Sequence, residues 1–454
     1  MMIRNYLGKV VNRIMDPKNG TQYEILCYVA FSVLLLVSLF VKTCAFLNFL
    51  VCACLLLFAK NESLFRWLLF AFPFAVVFKM KPDSSSFFTY LELLAAFLIC
   101  VRAWRKLLAP VVLAVLGVLA LEMAAGIHSL HGVVTILKAI NGLLLLYFFA
   151  KTCDLSEACS YFWPYIAGML TSSVLGMFKL RIPRFLAMYY GEVDYVRVGS
   201  KQIMRFEGIF NDPNYFSISA ILCVSVCMMA FMTRMVRKKK STPQHWALLC
   251  GCCLFFVVSG FATVSKSFLG LFVIVTVVLV LALPRQWLGR LLQKVKWKYV
   301  LPIGVAVLIM VAVIDPFHMF SAIISRLTSS NALTGRGAIW VAYWKACTES
   351  VGAFLMGHGI DAALVNGRAA HNMLLETIYY IGLVGLILYI TAIVVIVRSN
   401  RRVFSRKLVN YMGFVAVVMS FLFLCGLNRV ETPFYWIVAY LLYNVDFGAR
   451  ELLL

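Results

Sequence analysis

Asp315 to Glu376 read DPFHMFSAIISRLTSSNALTGRGAIWVAYWKACTESVGAFLMGHGIDAALVNGRAAHNMLLE. The stretch is long and of mixed polarity. It holds Arg326, Arg336, Arg368, His318, His358 and His371. The chain on both sides is apolar over runs of about 20 residues, the length of a membrane-crossing helix. A polar insertion between such runs is where chemistry collects in a membrane protein. The surroundings therefore decide the fold, and the insertion is the first place to look for a site.

Over 454 residues the chain is 63% hydrophobic with a mean hydropathy of +0.91. No soluble domain has this composition. The formal charge is +23, which in a soluble protein would point to nucleic acid. Here the basic residues gather in short loops between apolar runs, as orientation signals do, and no nucleic-acid-binding motif is present. The 14 cysteines lie almost all inside apolar runs, Cys52, Cys54, Cys250, Cys252 and Cys253 among them. There they act as small apolar residues, not as a disulfide framework or a zinc site. The polar stretch Met1 to Gln22 is too long for a cleavable signal.

The pattern predicts an all-α polytopic membrane protein with about 14 transmembrane helices. The expected spans lie near 23–41, 44–59, 64–79, 87–102, 107–125, 131–150, 157–178, 214–233, 246–264, 267–284, 299–315, 371–397, 408–427 and 432–447. Basic clusters around Arg4–Lys18, Arg102–Lys106, Arg234–Lys240, Arg285–Lys298 and Arg398–Lys407 all fall on one side if both termini are cytoplasmic. Residues 1–454 then form one integral membrane domain. Two long loops, 179–213 and 316–370, face outside, the second with short helices. Glu92, Glu122 and Lys138 fall in the outer halves of spans. Each costs about 2.5–3.5 kcal/mol if it faces lipid at mid-membrane, so they are expected to face the bundle interior or a cavity. Glu122 and Lys138, on consecutive spans, are a candidate pair.

The outer loops are basic. The first carries Arg197 and ends Arg205-Phe-Glu207-Gly208-Ile-Phe-Asn211-Asp-Pro-Asn214. Asn-Asp-Pro-Asn reads as a helix start, and a helix start offers free N–H groups to an anion. Between two spans lies the short turn Thr263-Val-Ser265-Lys266-Ser267, a cation flanked by hydroxyls. The second loop brings Gly335-Arg336 with Trp340, Gly357-His358-Gly359, and His371-Asn372 with Glu376 to follow. A helix starting at His371 puts Glu376 about a turn and a half on, so the two need not share a face. Each signal alone has a plain alternative: a solvated loop, a cap, a snorkelling lysine, or an interfacial helix holding Trp340 and Trp344. Together they are more specific, because Arg205, Lys266, Arg336 and His371 come from four segments and share one face. A metal-assisted alternative would use Glu192, Asp194, Glu207 and Asp212. Without histidine at ligand spacing a cation-only site is favoured, with no metal and no cofactor.

From Arg205 to Gly385 the chain resembles the O-antigen polymerase and O-antigen ligase superfamily of bacterial envelope enzymes. The resemblance rests on Arg205-x-x-Gly208, Asn211-x-Pro-Asn214, Ser265-Lys266-Ser267, Gly335-Arg336 with Trp340, Gly357-x-Gly359, and His371-Asn372 before Gly382-x-x-Gly385. The family usually has arginine where Lys266 stands. The resemblance implies a C-type glycosyltransferase-like bundle roofed by extracytoplasmic loops in a bacterial inner membrane. It implies extracytoplasmic polymerisation of polyprenyl-diphosphate-linked oligosaccharide repeat units into a capsule, exopolysaccharide or O-antigen. His371, Arg336 and Arg205 would be catalytic. Arg197, Lys266, Asn214, Asn372, Trp340, Glu207 and Glu376 would bind substrate. The implied partners are the lipid-linked donor, the growing polysaccharide, membrane lipid, a flippase and a chain-length regulator, and no nucleic acid. The alternatives are a ligase that passes the glycan to lipid A core, or, from another class, a lipid-linked sugar flippase. A protein oligosaccharyltransferase is disfavoured, since no soluble domain follows the last span.

Overall fold

The structure is a computed structural model, and it describes residues 20–38, 41, 44–79, 86–103, 109–153, 158–181, 195–198, 201–210, 212–236, 243–282, 319–328, 336–398 and 433–444. The expected spans near 299–315 and 408–427 lie outside these residues, as do Glu192, Asp194, Asn211, His318 and Gly335. A helix stands at each of the other expected spans. They are α1 (Gly20–Ser38), α2 (Cys44–Phe58), α3 (Asn61–Ala71), α4 (Phe88–Ala103), α5 (Pro110–Ala124), α6 (Leu130–Thr152) and α7 (Ala158–Arg181). After a hairpin of β1 (Tyr195–Val198) and β2 (Lys201–Met204) come α8 (Pro213–Val236), α9 (Pro243–Ala262) and α10 (Lys266–Ala282). The long insertion forms α11 (Met319–Thr328), α12 (Arg336–Cys347) and α13 (Val351–Met356), followed by α14 (Met373–Arg398) and α15 (Pro433–Asn444).

Local chemistry explains the boundaries. Proline opens α5, α8, α9 and α15, where its missing N–H and fixed φ cost nothing. Ser129 caps α6 by accepting from the Gly132 N–H, and Ser350 caps α13 by accepting from the Ala353 N–H. Pro73 follows α3, and the chain tightens into a 3₁₀ turn over Phe72–Phe78. The hairpin in the first long loop was not foreseen, because its strands are only four residues each.

Among the described residues, Asn61–Phe78, Leu130–Thr152 and Met373–Arg398 are long and apolar enough to cross a membrane. Six shorter apolar helical stretches accompany them. Aromatic rings bind the bundle: the Phe149 ring of α6 lies 4.9 Å from Phe65, 5.1 Å from Tyr161 and 6.3 Å from Tyr440. The outer surface is apolar as well. Leu121 is 72% exposed, Leu254 65% and Phe97 63%. So many outward apolar side chains would drive aggregation in water, whereas lipid solvates them. Glu92 is buried in the bundle, and Glu122 and Lys138 are half-buried.

Helix α14 is broken at Gly382, which takes φ 67°. The break leaves the Tyr379 and Tyr380 carbonyls open to a second partner. The N–H groups of His358 and Gly359 donate to them, at 2.7 and 3.0 Å. Gly357, at φ 76°, lies against the same turn, and a Cβ there would meet Gly382 N and Tyr380 O at 2.6 Å. Glycine is required at both positions by conformation and by contact. Past this strap, the Asp361 carboxylate accepts from the His128 and Ser129 N–H groups and from Ser129 Oγ, each at 2.6 Å. The insertion is thus tied to α14 and to the start of α6.

Candidate functional site

The site is assembled around the start of α8. Phe206 N–H donates to Ala262 O and Arg205 Nε to Thr263 O, both at 2.9 Å, so the end of β2 is fixed to the end of α9. Arg205 and Glu207 are buried. Gly208 follows at φ 58° and packs against Gly176 of α7, which gives the Arg205-x-x-Gly208 spacing a structural reason. Asp212 caps α8. Its Oδ1 accepts from Asn214 N–H at 2.7 Å, and its carbonyl accepts from Tyr215 and Phe216.

The turn between α9 and α10 docks on this cap. Ser265 Oγ donates to Asn214 Oδ1 at 3.0 Å, and Ser217 Oγ to Thr263 Oγ1 at 3.1 Å. Asn214 therefore holds the turn that presents Lys266, the half-buried first residue of α10. Arg197 lies on β1 opposite Gln202; for it the backbone alone is described.

Arg336 opens α12, and α12 aligns the chain that leads to His371. Trp340 Nε1 donates to Ala370 O and Tyr343 Oη to Arg368 O, both at 2.9 Å. His371 itself takes a left-handed φ of 51°, uncommon for a residue with a Cβ. Its N–H donates to Glu376 Oε1 at 2.9 Å, and Glu376 is 1% exposed. This corrects the expected geometry. Helix α14 starts at Met373, because Asn372 acts as its cap, with Oδ1 accepting from the Leu374 and Leu375 N–H groups. His371 lies outside the helix, so the Glu376 carboxylate can reach back to it.

Electrostatics relate these groups to one another. Burial lowers the His371 imidazole from its ordinary value. The Arg336 guanidinium lowers it further, and Asp212 opposes both. Burial likewise lowers Arg336, with Asp212 opposing and Arg205 adding to the effect. Arginine stays charged at neutral pH all the same. Arg205, Arg336, His371 and Asp212 thus share one field, although they come from the end of β2, the start of α12, the start of α14 and the cap of α8. The arrangement gathers two guanidinium charges and a neutral imidazole in one region.

Sequence reasoning undervalued Asp212, which it took as a helix cap and a candidate metal ligand. The available signal was its place in the cap between two basic segments. It missed Asp361 altogether, since a lone loop aspartate carries no pattern.

Fold, apolar surface and site define a helical membrane protein with a mixed cationic and imidazole cluster at the mouth of several helices. No protein-family model, no curated protein and no solved structure matches the chain.

Proposed function

We propose that the chain is a membrane glycosyltransferase that joins polyprenyl-diphosphate-linked oligosaccharide repeat units into a cell-surface polysaccharide. The observation that carries this reading is that Arg205 and Asp212 act on Arg336, and Arg336 and Asp212 on His371, across four separate segments. The motif resemblance of Arg205 to Gly385 supplies the substrate class. In this reading the bundle has about 14 spans with both termini cytoplasmic, and the cluster faces outside.

The chemistry follows from the groups present. The acceptor hydroxyl attacks the anomeric carbon, and the bond from that carbon to the diphosphate oxygen breaks. The electron pair leaves with the polyprenyl diphosphate. Arg205 and Arg336 stabilise the charge that develops there, and water-poor surroundings strengthen the effect. The acceptor proton passes to neutral His371, which the environment keeps unprotonated near neutral pH. The Asp212 charge favours the charged form of Arg336 and so opposes the effect of Arg205 on it. Lys266 and Asn214 line the neighbouring turn.

The test is to incubate purified protein in nanodiscs with a defined polyprenyl-diphosphate oligosaccharide and resolve the products by size. A ladder of multiples is expected. A single transfer to a supplied lipid A core acceptor, with no ladder, would make the enzyme a ligase. Donor that crosses the bilayer and is never consumed would replace the reading with a flippase.

A further inference from the structure

The insertion carries an apolar face that the candidate site does not use. On α12, Val341 and Trp344 turn outward, 56% and 49% exposed; on α13, Val351, Leu355 and Met356 do, with Val351 at 76%. The Trp344 and Phe354 rings meet edge to face with centroids 6.2 Å apart. The two short helices therefore present one patch. The opposite sides, with Tyr343, Cys347 and Ala353, are buried, and α12 and α13 both pack on α14.

The level of the patch says what covers it. The Leu355–Met356 backbone lies against Gly382, where α14 breaks. The strap that follows puts Gly359 on Gly126, just past the end of α5, and Asp361 on Ser129, the cap of α6. The patch is thus level with the ends of two apolar helices. Near these ends, Leu121 of α5 and Val384 and Ile387 of α14 are exposed apolar residues as well. The nine residues Met373–Ile381 of α14, about 13 Å of helix at 1.5 Å per residue, stand beyond it on the side of His371. Lys345 and Glu349 are exposed beside the patch, as charged groups are at the margin of an interfacial helix.

We propose that α12 and α13 lie on the membrane, with the face of Val341, Trp344, Val351, Leu355 and Met356 seated at the boundary between lipid headgroups and acyl chains. The insertion is then a membrane-seated hairpin, not a solvated loop. Because Arg336 is the first residue of α12, the seat also sets the height of Arg336 above the lipid. The inference stands on packing and exposure and does not depend on the proposed chemistry.

Photocrosslinking of the full-length protein tests it. p-Benzoylphenylalanine is placed at Val351 or Met356, exposed positions that tolerate bulk, in nanodiscs of tritiated phosphatidylcholine. Leu121 serves as the lipid-facing control and Asn366, exposed on a polar turn, as the water-facing one. Lipid adducts at 351 and 356 should match those at 121 and exceed those at 366 several-fold. Adducts no higher than at 366, or crosslinked dimers in place of lipid adducts, overturn the proposal. A second measurement needs no bulky probe: dibrominated lipid should quench a smaller fraction of the tryptophan emission in Trp344→Phe than in the parent. An unchanged fraction overturns it equally.

Discussion

Glu376→Ala removes the carboxylate that accepts the His371 N–H at 2.9 Å. A hydrogen bond to a charged partner contributes about 1.5–3 kcal/mol. A left-handed backbone at a residue with a Cβ costs about 1–2 kcal/mol, and His371 has φ 51°. The bond therefore offsets the strain, and its loss leaves the left-handed form unfavourable by about 1–2 kcal/mol. At 1.36 kcal/mol per factor of ten, His371 should then hold its place beside Arg336 in about a tenth of the molecules. Polymer formation should fall about tenfold, and the full general-base contribution of about 10²–10⁴ sets the limit. Glu376→Gln keeps an oxygen acceptor, with a neutral bond of about 0.5–1.5 kcal/mol, and should stay within about threefold of the parent. If Glu376 were itself the base, the Gln variant would fail as badly as the Ala variant. Two assays read the outcome: the initial rate of ladder formation, and titration of the His371 imidazole by NMR with labelled histidine. The charges that act on this imidazole are Arg336 and Asp212, with Glu376 holding its backbone. In Glu376→Ala the imidazole leaves the buried, Arg336-facing position, so its pKa should rise toward the ordinary value of about 6.5; in Glu376→Gln it should stay low. Equal rates in all three proteins with an unmoved titration would refute the argument. A moved titration in a protein without transferase activity would instead separate the geometry, still correct, from the proposed function.

Four further outcomes follow from the same geometry. His371→Gln should lower turnover about 10²–10⁴-fold; in the parent, the neutral imidazole is the competent form and its pKa is lowered, so a pH–rate profile should keep full activity above about 6.5 and lose it as pH falls through the depressed value. Arg336→Lys should lose most activity with the fold intact, since a point charge cannot replace the planar fork; Arg205→Ala and Arg336→Ala variants that both keep the parent rate would remove the anion site from these segments. Gly382→Ala should lower the thermal midpoint in detergent, because φ 67° and the Leu355 carbonyl leave no room for a Cβ; an unchanged midpoint would mean that α14 can straighten. Asp361→Asn should lower the midpoint at neutral pH but not in acid. Hydrogen bonds from Ser129 Oγ and the His128 N–H hold the Asp361 carboxyl below its ordinary range. Its contribution is present above the unfolded value of about 3.9 and lost as pH falls through the folded one, so the two proteins should converge only once the pH is below that depressed folded value.

What could be read from the sequence depended on the range of the interaction responsible. Apolar runs and proline starts act over one helix, and so α5, α6, α8 and α14 were legible to within a few residues. The expectation that Arg205, Arg336 and His371 share a face had a different basis: in a membrane protein each loop takes one of two sides, and basic clusters bias that choice. Side chains that bridge distant segments left no such trace. Asp361 reaches Ser129 across 232 residues. Asp212 meets Arg336 and His371 through a field, not a motif. Glu376 shows the limit most clearly. Helix spacing alone gives no reason for its side chain to meet His371, and that reasoning fails because Asn372 caps α14 one residue after His371 and frees the histidine backbone to turn left-handed. A single cap thus decides whether the buried carboxylate reaches the histidine backbone. That decision lies in a backbone dihedral, which residue identity biases but does not fix.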